Sequence, residues 1–516
     1  MRTQALVLGL CLLLSSFAAG QNIHLTVYET NDVHGWIMAR PASWNKEDPQ
    51  RMAGGFAALA NVLKQDPGPK LVLDAGDWFQ GTPEGSVSRG KTLVPLLNAI
   101  GYDAVEIGNH EFDNGERELR GLIAQLKMPV LAANVYDSKT HQRVPWAKPW
   151  IIKDVAGVKV GIFGLLTVKM HQLAFADNIK GLYFRREADE AKDAVKALKE
   201  AGATIIIAVT HVGFEDPKYG KFEGDQTIAS EVPGIDLIVG GHTHTRVTDP
   251  PHDPKNGTLI TQAGTGLTQV GKAVLEIDSN TKKVVSSRGE LETLWIDKTG
   301  EDADVLALVR ADEAEVTKAF DVVIGTASQA LMRDPAGEGA LGDWMTDCAR
   351  GFGHADIALL NGGGIRADLP AGPVTLRSIY NIMPFDNYAV HLVLTGKQVQ
   401  QTLDYGAAMN KEMVQTSGVS FSYARHSPEG QRVSKILIDG KPLKPDAKYT
   451  LETIDFLIKG GDGYTALAQA RRQELTKTLL RDVLRGCVEK TRLVEAPTAG
   501  RMISLEDANG TQERSR

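Results

Sequence analysis

The chain has 516 residues, too many for one compact core at roughly 100–200 residues per domain, so at least one domain boundary lies within it. Hydrophobic residues make up 42% and charged residues 23%, with a mean hydropathy of -0.17, which excludes global disorder, a coiled coil and a polytopic membrane protein. The 57 Lys and Arg against 64 Asp and Glu leave a net charge of -7; this argues against a nucleic-acid partner, and any phosphate recognised here must be met by local groups.

The chain opens with Arg2 and an unbroken apolar stretch from Ala5 to Leu14, followed by the small residues Ala18, Ala19 and Gly20. That pattern reads as an export signal over 1–20, and the apolar run is too short for an anchor that needs about 20 such residues. The expectation is an exported protein, periplasmic or secreted, with no membrane anchor after the signal is removed. Beyond it only Cys348 and Cys487 remain, and the sequence leaves one disulfide and two buried thiols equally open. The last residues, 508–516, form a polar tail.

From 23 to 277 short β-branched or aliphatic runs alternate with amphipathic stretches, the signature of a layered α/β (α+β) fold. Strands are predicted at 23–30, 70–75, 104–107, 130–133, 158–164, 204–209 and 236–239, and helices at 55–64, 116–127 and 188–201. Five strand ends carry metal-ligand residue types: Asn31-Asp32-Val33-His34-Gly35, Gly76-Asp77, Gly108-Asn109-His110-Glu111, Thr210-His211 and Gly241-His242-Thr243-His244. Ligands of open α/β sheets bind outside the carboxyl ends of the strands, so these five segments are expected on one rim. Asp32 and His34, two residues apart on an extended segment, project to the same face, and a carboxylate such as Asp77 has two oxygens with which to bridge two cations. Mixed nitrogen and oxygen donors suit Zn, Mn, Fe or Co better than Ca or Mg, and a pair of such ions would clamp a phosphoryl group.

These blocks, in this order, resemble the signature of the calcineurin-like dinuclear metallophosphoesterases. The resemblance implies two divalent metal ions, one held by Asp32, His34, Asp77 and His244 and the other by Asp77, Asn109, His211 and His242, with Asp77 bridging. It makes His110 and Asp113 a dyad beside the scissile phosphate. An imidazolium stabilising phosphoryl charge and a carboxylate orienting it make chemical sense independently. The lesser alternative for Asp113 is a first-turn acid favoured by a helix dipole. His244 departs from the Gln or Asn common in well-studied nucleotidases of this type.

A helix-like link follows at 302–320, and then Asn361-Gly362-Gly363-Gly364-Ile365-Arg366. Three glycines let a backbone approach a ligand closely, and an adjacent Arg can grip phosphate bidentately. Pro384-Phe385-Asp386-Asn387 and Asp455-Phe456-Leu457-Ile458-Lys459-Gly460-Gly461-Asp462-Gly463-Tyr464 place aromatics in polar, glycine-rich loops, where two rings could sandwich a base. The three blocks resemble the C-terminal domain of the 5'-nucleotidases. By that resemblance Phe385 and Phe456 stack on the nucleobase, Asp462 accepts from the ribose hydroxyls, Asn361 and Arg366 hold phosphate and sugar, and Arg333 is a further phosphate clamp.

After the signal at 1–20, the resemblance implies a four-layer αββα metallophosphoesterase domain at 21–298, a linker helix at 299–325 and an α/β substrate-binding domain at 326–507. It implies hydrolysis of nucleoside 5'-monophosphates by attack of metal-activated water. A UDP-sugar diphosphatase, a 2',3'-cyclic-nucleotide phosphodiesterase, a sulfur-compound hydrolase and a noncatalytic nucleoside-binding surface protein remain the rivals. Oligomeric state, metal identity and base preference are left open by the sequence.

Overall fold

Alternating apolar residues in the N-terminal half sort two ways once the strands pair. The computed structural model describes residues 22–215, 222–334, 336–408, 413–470 and 472–506; the predicted signal and polar tail lie outside them. One mixed sheet runs in the order Val284–Thr293, Gln269–Ile277, Ile23–Thr30, Lys70–Asp74, Ala104–Glu106, Val130–Leu131. A second runs Leu259–Gln262, Leu237–Gly240, Ile205–His211, Val158–Leu166, Trp150–Val155.

Val27, Leu71 and Leu73 of the first sheet pack face to face with Ile205, Ile207 and Val209 of the second, forming a dry inner core. Tyr28, Val72 and Val105 point the other way, under helices Phe56–Gln65 and Leu93–Ile100. Ile206 and Ala208 likewise face helices Glu187–Glu200 and Asp225–Glu231. The two-residue period of a strand thus produces four layers, helix, sheet, sheet, helix, from one alternating pattern.

The first of two details follows the four-layer architecture that the resemblance implies, and the second differs from the sequence reading. The ligand-bearing strand ends belong to two packed sheets: Ile23–Thr30, Lys70–Asp74 and Ala104–Glu106 come from the first, Ile205–His211 and Leu237–Gly240 from the second. Thr210 and His211, expected just past a strand, are its last residues, because they pair with Leu165 and Leu166 of the neighbouring strand.

The helix Ala303–Phe320 joins the halves. Asp302 caps it, accepting from the backbone N–H groups of Asp304 and Val305, and Val305 and Val309 sink into the N-terminal core. The C-terminal domain has one continuous core around a five-stranded sheet ordered Gln415–Ser417, Ile357–Leu360, Lys448–Ile454, Tyr388–Thr395, Arg472–Leu479. A disulfide between Cys348 and Cys487 ties helix Ala340–Gly353 to helix Leu480–Thr491, settling the alternative the sequence left open. Among the described residues, no helix is long and apolar enough to cross a membrane.

Candidate functional site

The strand ends of the N-terminal sandwich deliver seven polar side chains to one spot. His34 Nε2 lies 2.9 Å from His244 Nε2 and 3.7 Å from Asp32 Oδ1, and His244 Nε2 lies 3.3 Å from the same oxygen. Asp77 Oδ2 stands between the two halves of the cluster, 3.8 Å from His34 Nε2 and 3.2 Å from His211 Nε2. Asn109 Oδ1 is 3.2 Å from His211 Nε2 and 3.0 Å from His242 Nδ1. Asp32, His34 and His244 form one group that could hold a metal ion, and Asp32, Asp77 and His211 a second.

The backbone is bent to achieve this. Asp32, His34, Asp77, His242 and His244 all have positive φ, between 49° and 78°, a region non-glycine residues enter at a cost that surrounding structure must offset. The offset is visible. Glu111 accepts from the backbone N–H groups of Asp77, Trp78 and Gly108. Asp74 accepts from Gly76 N and from the Trp78 indole, and the Gln262 side chain spans Gly241 O and Thr245 N. Burial pushes the Glu111 carboxyl up to about 8 and that of Asp74 up to about 7.

The donors fit cations. His34 hydrogen-bonds the Gln80 carbonyl through Nδ1, and His211 the Ala75 carbonyl through Nδ1, so each turns Nε2 toward the cluster. Asp32 Oδ1 is buried and carries no hydrogen bond. Burial, reinforced by Arg366 and His244, holds His34 well below the usual imidazole range; burial and His211 bring His242 down to about 3. Both rings are therefore neutral and offer lone pairs. Burial opposes ionisation of Asp77, but His211 and His110 outweigh it and keep the carboxylate well below its usual range. Burial works against protonation of His211, but Asp77 outweighs it and raises that imidazole to about 10, so this ring would release its proton on binding an ion; imidazoles, carboxylates and one amide oxygen together are a transition-metal donor set.

His110 stands beside this cluster. Its Nδ1 is 2.8 Å from Asp113 Oδ2. Burial works against protonation, yet Asp113 and Asp77 outweigh it and raise the imidazolium to about 9. The group facing the cavity is a cation.

The C-terminal domain closes the other side. Arg366 Nη2 donates to His34 Nε2 over 2.9 Å, Gln80 Nε2 donates to Pro384 O over 2.9 Å, and the Phe385 ring stacks on His110 at 5.4 Å and 24°. Asn361 Nδ2 donates to Asp462 Oδ2 over 2.6 Å, while Asn361 Oδ1 is buried with no hydrogen-bond partner. The cavity between the domains, about 160 Å³, is lined by Asp77, Asn109, His110 and Asp113 on one side and by Asn361, Arg366, Phe385, Phe456 and Asp462 on the other.

Arg333, expected at the phosphate, is outside that lining: its Nη1 donates to the carbonyls of Ile365 and Arg366 behind the Arg366 turn. In the sequence Glu111 has no role beyond its place in the Gly108-Asn109-His110-Glu111 block; its position two residues after Asn109, beside glycine turns rich in N–H groups, is the available signal. Gln80 and Phe175, which also line the cavity, lie in stretches with no pattern that marks them.

A family model for calcineurin-like phosphoesterases matches residues 25–246, and one for the 5'-nucleotidase C-terminal domain matches residues 323–469. The chain is similar to Protein UshA of Yersinia enterocolitica, 29% identical over 514 residues and 92% of each chain. It is similar to a 5'-nucleotidase of Vibrio cholerae, 29% identical over 491 residues and 86% of each. Among solved structures, a 5'-nucleotidase precursor from Thermus thermophilus superposes with a TM-score of 0.85 at 28% identity, over 94% of this chain and 99% of that one. A sulfate thiohydrolase from the same organism shares the fold at a TM-score of 0.79 and 16% identity, over 93% and 96%.

Proposed function

We infer that this chain, which belongs to the 5'-nucleotidase family pairing a calcineurin-like phosphoesterase domain with a 5'-nucleotidase C-terminal domain, is an exported hydrolase that converts nucleoside 5'-monophosphates and water to nucleosides and orthophosphate. The observation carrying this reading is that the Arg366 guanidinium, a cationic His110 and two aromatic rings open on one interdomain cavity beside the metal donors.

We assign Asp32, His34, Asp77 and His244 to one divalent ion and Asp77, Asn109, His211 and His242 to a second. Ions bound there supply Lewis-acid charge and lower the pKa of water. The protein's own groups do the rest. His110, oriented by Asp113, meets negative charge growing on the phosphoryl oxygens. The Arg366 guanidinium binds the non-bridging oxygens in a fixed fork. Phe385 and Phe456 stack on the base, Asp462 accepts from ribose hydroxyls, and the unpartnered Asn361 Oδ1 is a further acceptor there. Arg333 is read as a brace for the Arg366 turn.

The test is phosphate release from AMP, UDP-glucose and 2',3'-cyclic AMP by protein stripped of metal and refilled with Mn, Zn or Co, beside His110→Ala. Metal-dependent release from AMP that is lost in the variant supports the reading. Cleavage of UDP-glucose or the cyclic nucleotide with AMP left intact transfers the same site to a rival substrate.

A further inference from the structure

The base-binding side of the cavity is not made by the C-terminal domain alone. Phe175, from the N-terminal domain, lines it and meets Phe456 at 6.1 Å between ring centroids and 87° between planes. On its other contact Phe175 receives the Lys459 ammonium 4.3 Å from its ring centroid. The helical turn Met170–Leu173, just before it, packs on the Gly461–Gly463 turn that carries Asp462.

Phe175 itself is fixed to the catalytic side. Asn178 N donates to Phe175 O, Asn178 Nδ2 donates to Asp113 O over 2.8 Å, and Glu116 N donates to Asn178 O. The segment is thereby tied to the backbone of the His110–Asp113 dyad. Phe456 has little room of its own: a Cβ on Gly461 would fall 2.6 Å from its ring, so that ring lies close against the Gly461 backbone. One constraint on Phe456 comes from its own domain and the other, Phe175, is referenced to the dyad.

We propose that Phe175 is a specificity-determining positioning residue that sets the orientation of Phe456 from the N-terminal domain, so that a nucleobase is gripped at a fixed distance from the catalytic dyad only while the two domains are seated together. This rests on the nucleotidase reading above and deepens it. The ligand class it selects is a phosphate monoester bearing a planar aromatic base, over the same ester without one. Phe175 makes no contact with the phosphoryl group and takes no part in the chemical step.

The experiment compares metal-loaded wild-type, Phe175→Ala and Phe175→Tyr proteins on AMP and on ribose 5-phosphate, which keeps sugar and phosphate but lacks the base. In Phe175→Ala the KM for AMP rises about three- to tenfold, the size of one edge-to-face aromatic contact. The AMP kcat stays within twofold, kcat/KM for ribose 5-phosphate is unchanged, and Phe175→Tyr, which keeps the ring, restores the AMP value. An equal loss on both substrates overturns the proposal, because it makes Phe175 a general strut between domains. An unchanged preference for AMP in Phe175→Ala also overturns it. Wild-type protein that does not distinguish AMP from ribose 5-phosphate overturns the base-recognition reading itself, a result legible without any variant.

Discussion

The metal-donor rim of the N-terminal domain and the nucleotide wall of the C-terminal domain face each other across one cavity, but they are held in place by different means. The rim is fixed from within its own domain: Glu111, Asp74 and Gln262 satisfy the N–H and C=O groups of its turns, and its backbone is locked into positive φ at five donors. The wall reaches the rim through a few side-chain contacts, chiefly Arg366 to His34, Gln80 to the Pro384 carbonyl, Phe385 on His110 and Phe175 against Phe456. Prebuilt polar geometry suits the transition state, where an ångström of slack is costly. Under the proposed function the wall must also admit a substrate and release a nucleoside, and a few side-chain contacts constrain it less than the rim's hydrogen-bonded turns are constrained.

The division predicts that rim changes lower kcat on every substrate, whereas wall changes raise KM selectively. His110→Ala is expected to lower kcat by about 10²–10⁴, alike for AMP and ribose 5-phosphate, as loss of a positioned charge-stabilising group does. Metal content measured by mass spectrometry should be unchanged, since His110 is not an assigned ligand; a drop confined to AMP would break the division. Next in size, Phe385→Ala and Phe456→Ala should each raise the KM for AMP by about 5- to 150-fold, at the 1–3 kcal/mol of a base–aromatic stack. Ribose 5-phosphate kinetics in the same variants should move far less.

A third change tests the seam. Arg377, on helix Leu376–Ile382 of the C-terminal domain, pairs with Glu84 of the N-terminal domain and with Glu313 and Asp321 on and just beyond the linker helix. Arg377→Met removes the shared partner of all three carboxylates. KM should rise several-fold on AMP and ribose 5-phosphate together, the scale of a charge network with partial solvent access. A selective effect on AMP would place the seam within base recognition.

The same contrast explains what could be read from the sequence. The rim was legible because each donor sits in a short local block after a strand, so strand periodicity and residue type alone brought Asp32, Asp77, Asn109 and His242 to one edge. Their division between two packed sheets came only with the resemblance to a four-layer αββα domain, because a strand's alternation says that both faces are covered and not by what. In the wall, Phe385 and Phe456 stood out as aromatics in glycine-rich loops, whereas Arg333, set before Gly339-Ala340-Leu341-Gly342 by a longer loop than the family usually has, was the weaker candidate, and its guanidinium ends on the Ile365 and Arg366 carbonyls. Phe175 lies 281 residues from Phe456, and nothing near it in the chain records their contact. Interdomain pairs of this kind are set by tertiary placement, which one sequence does not encode as a pattern.

The smallest expected effect on activity belongs to a change in the wall's own stability. Asp343, buried in helix Ala340–Gly353, faces Arg501 at 3.8 Å, with Glu338 and Asp347 close by. Burial raises its carboxyl to about 8 from an ordinary 3.8, Arg501 opposing the shift and the neighbouring acids adding to it. Between those values the folded chain holds a proton that the unfolded chain has released, so this group's contribution to stability is complete below about pH 4, declines as the pH rises, and is gone above about pH 8. Asp343→Asn removes the titration and should flatten that part of the pH dependence of C-terminal unfolding, followed by near-ultraviolet circular dichroism from pH 4.5 to 8.5 at constant ionic strength. The difference between variant and wild type should favour the variant increasingly toward high pH. A constant difference across the range would mean that Asp343 is already ionised in the fold and that Arg501 prevails over burial. In either case the His110-dependent kcat should be equal in both proteins at pH 7, since Glu111, Asp74 and Gln262 hold the rim's turns from within the other domain.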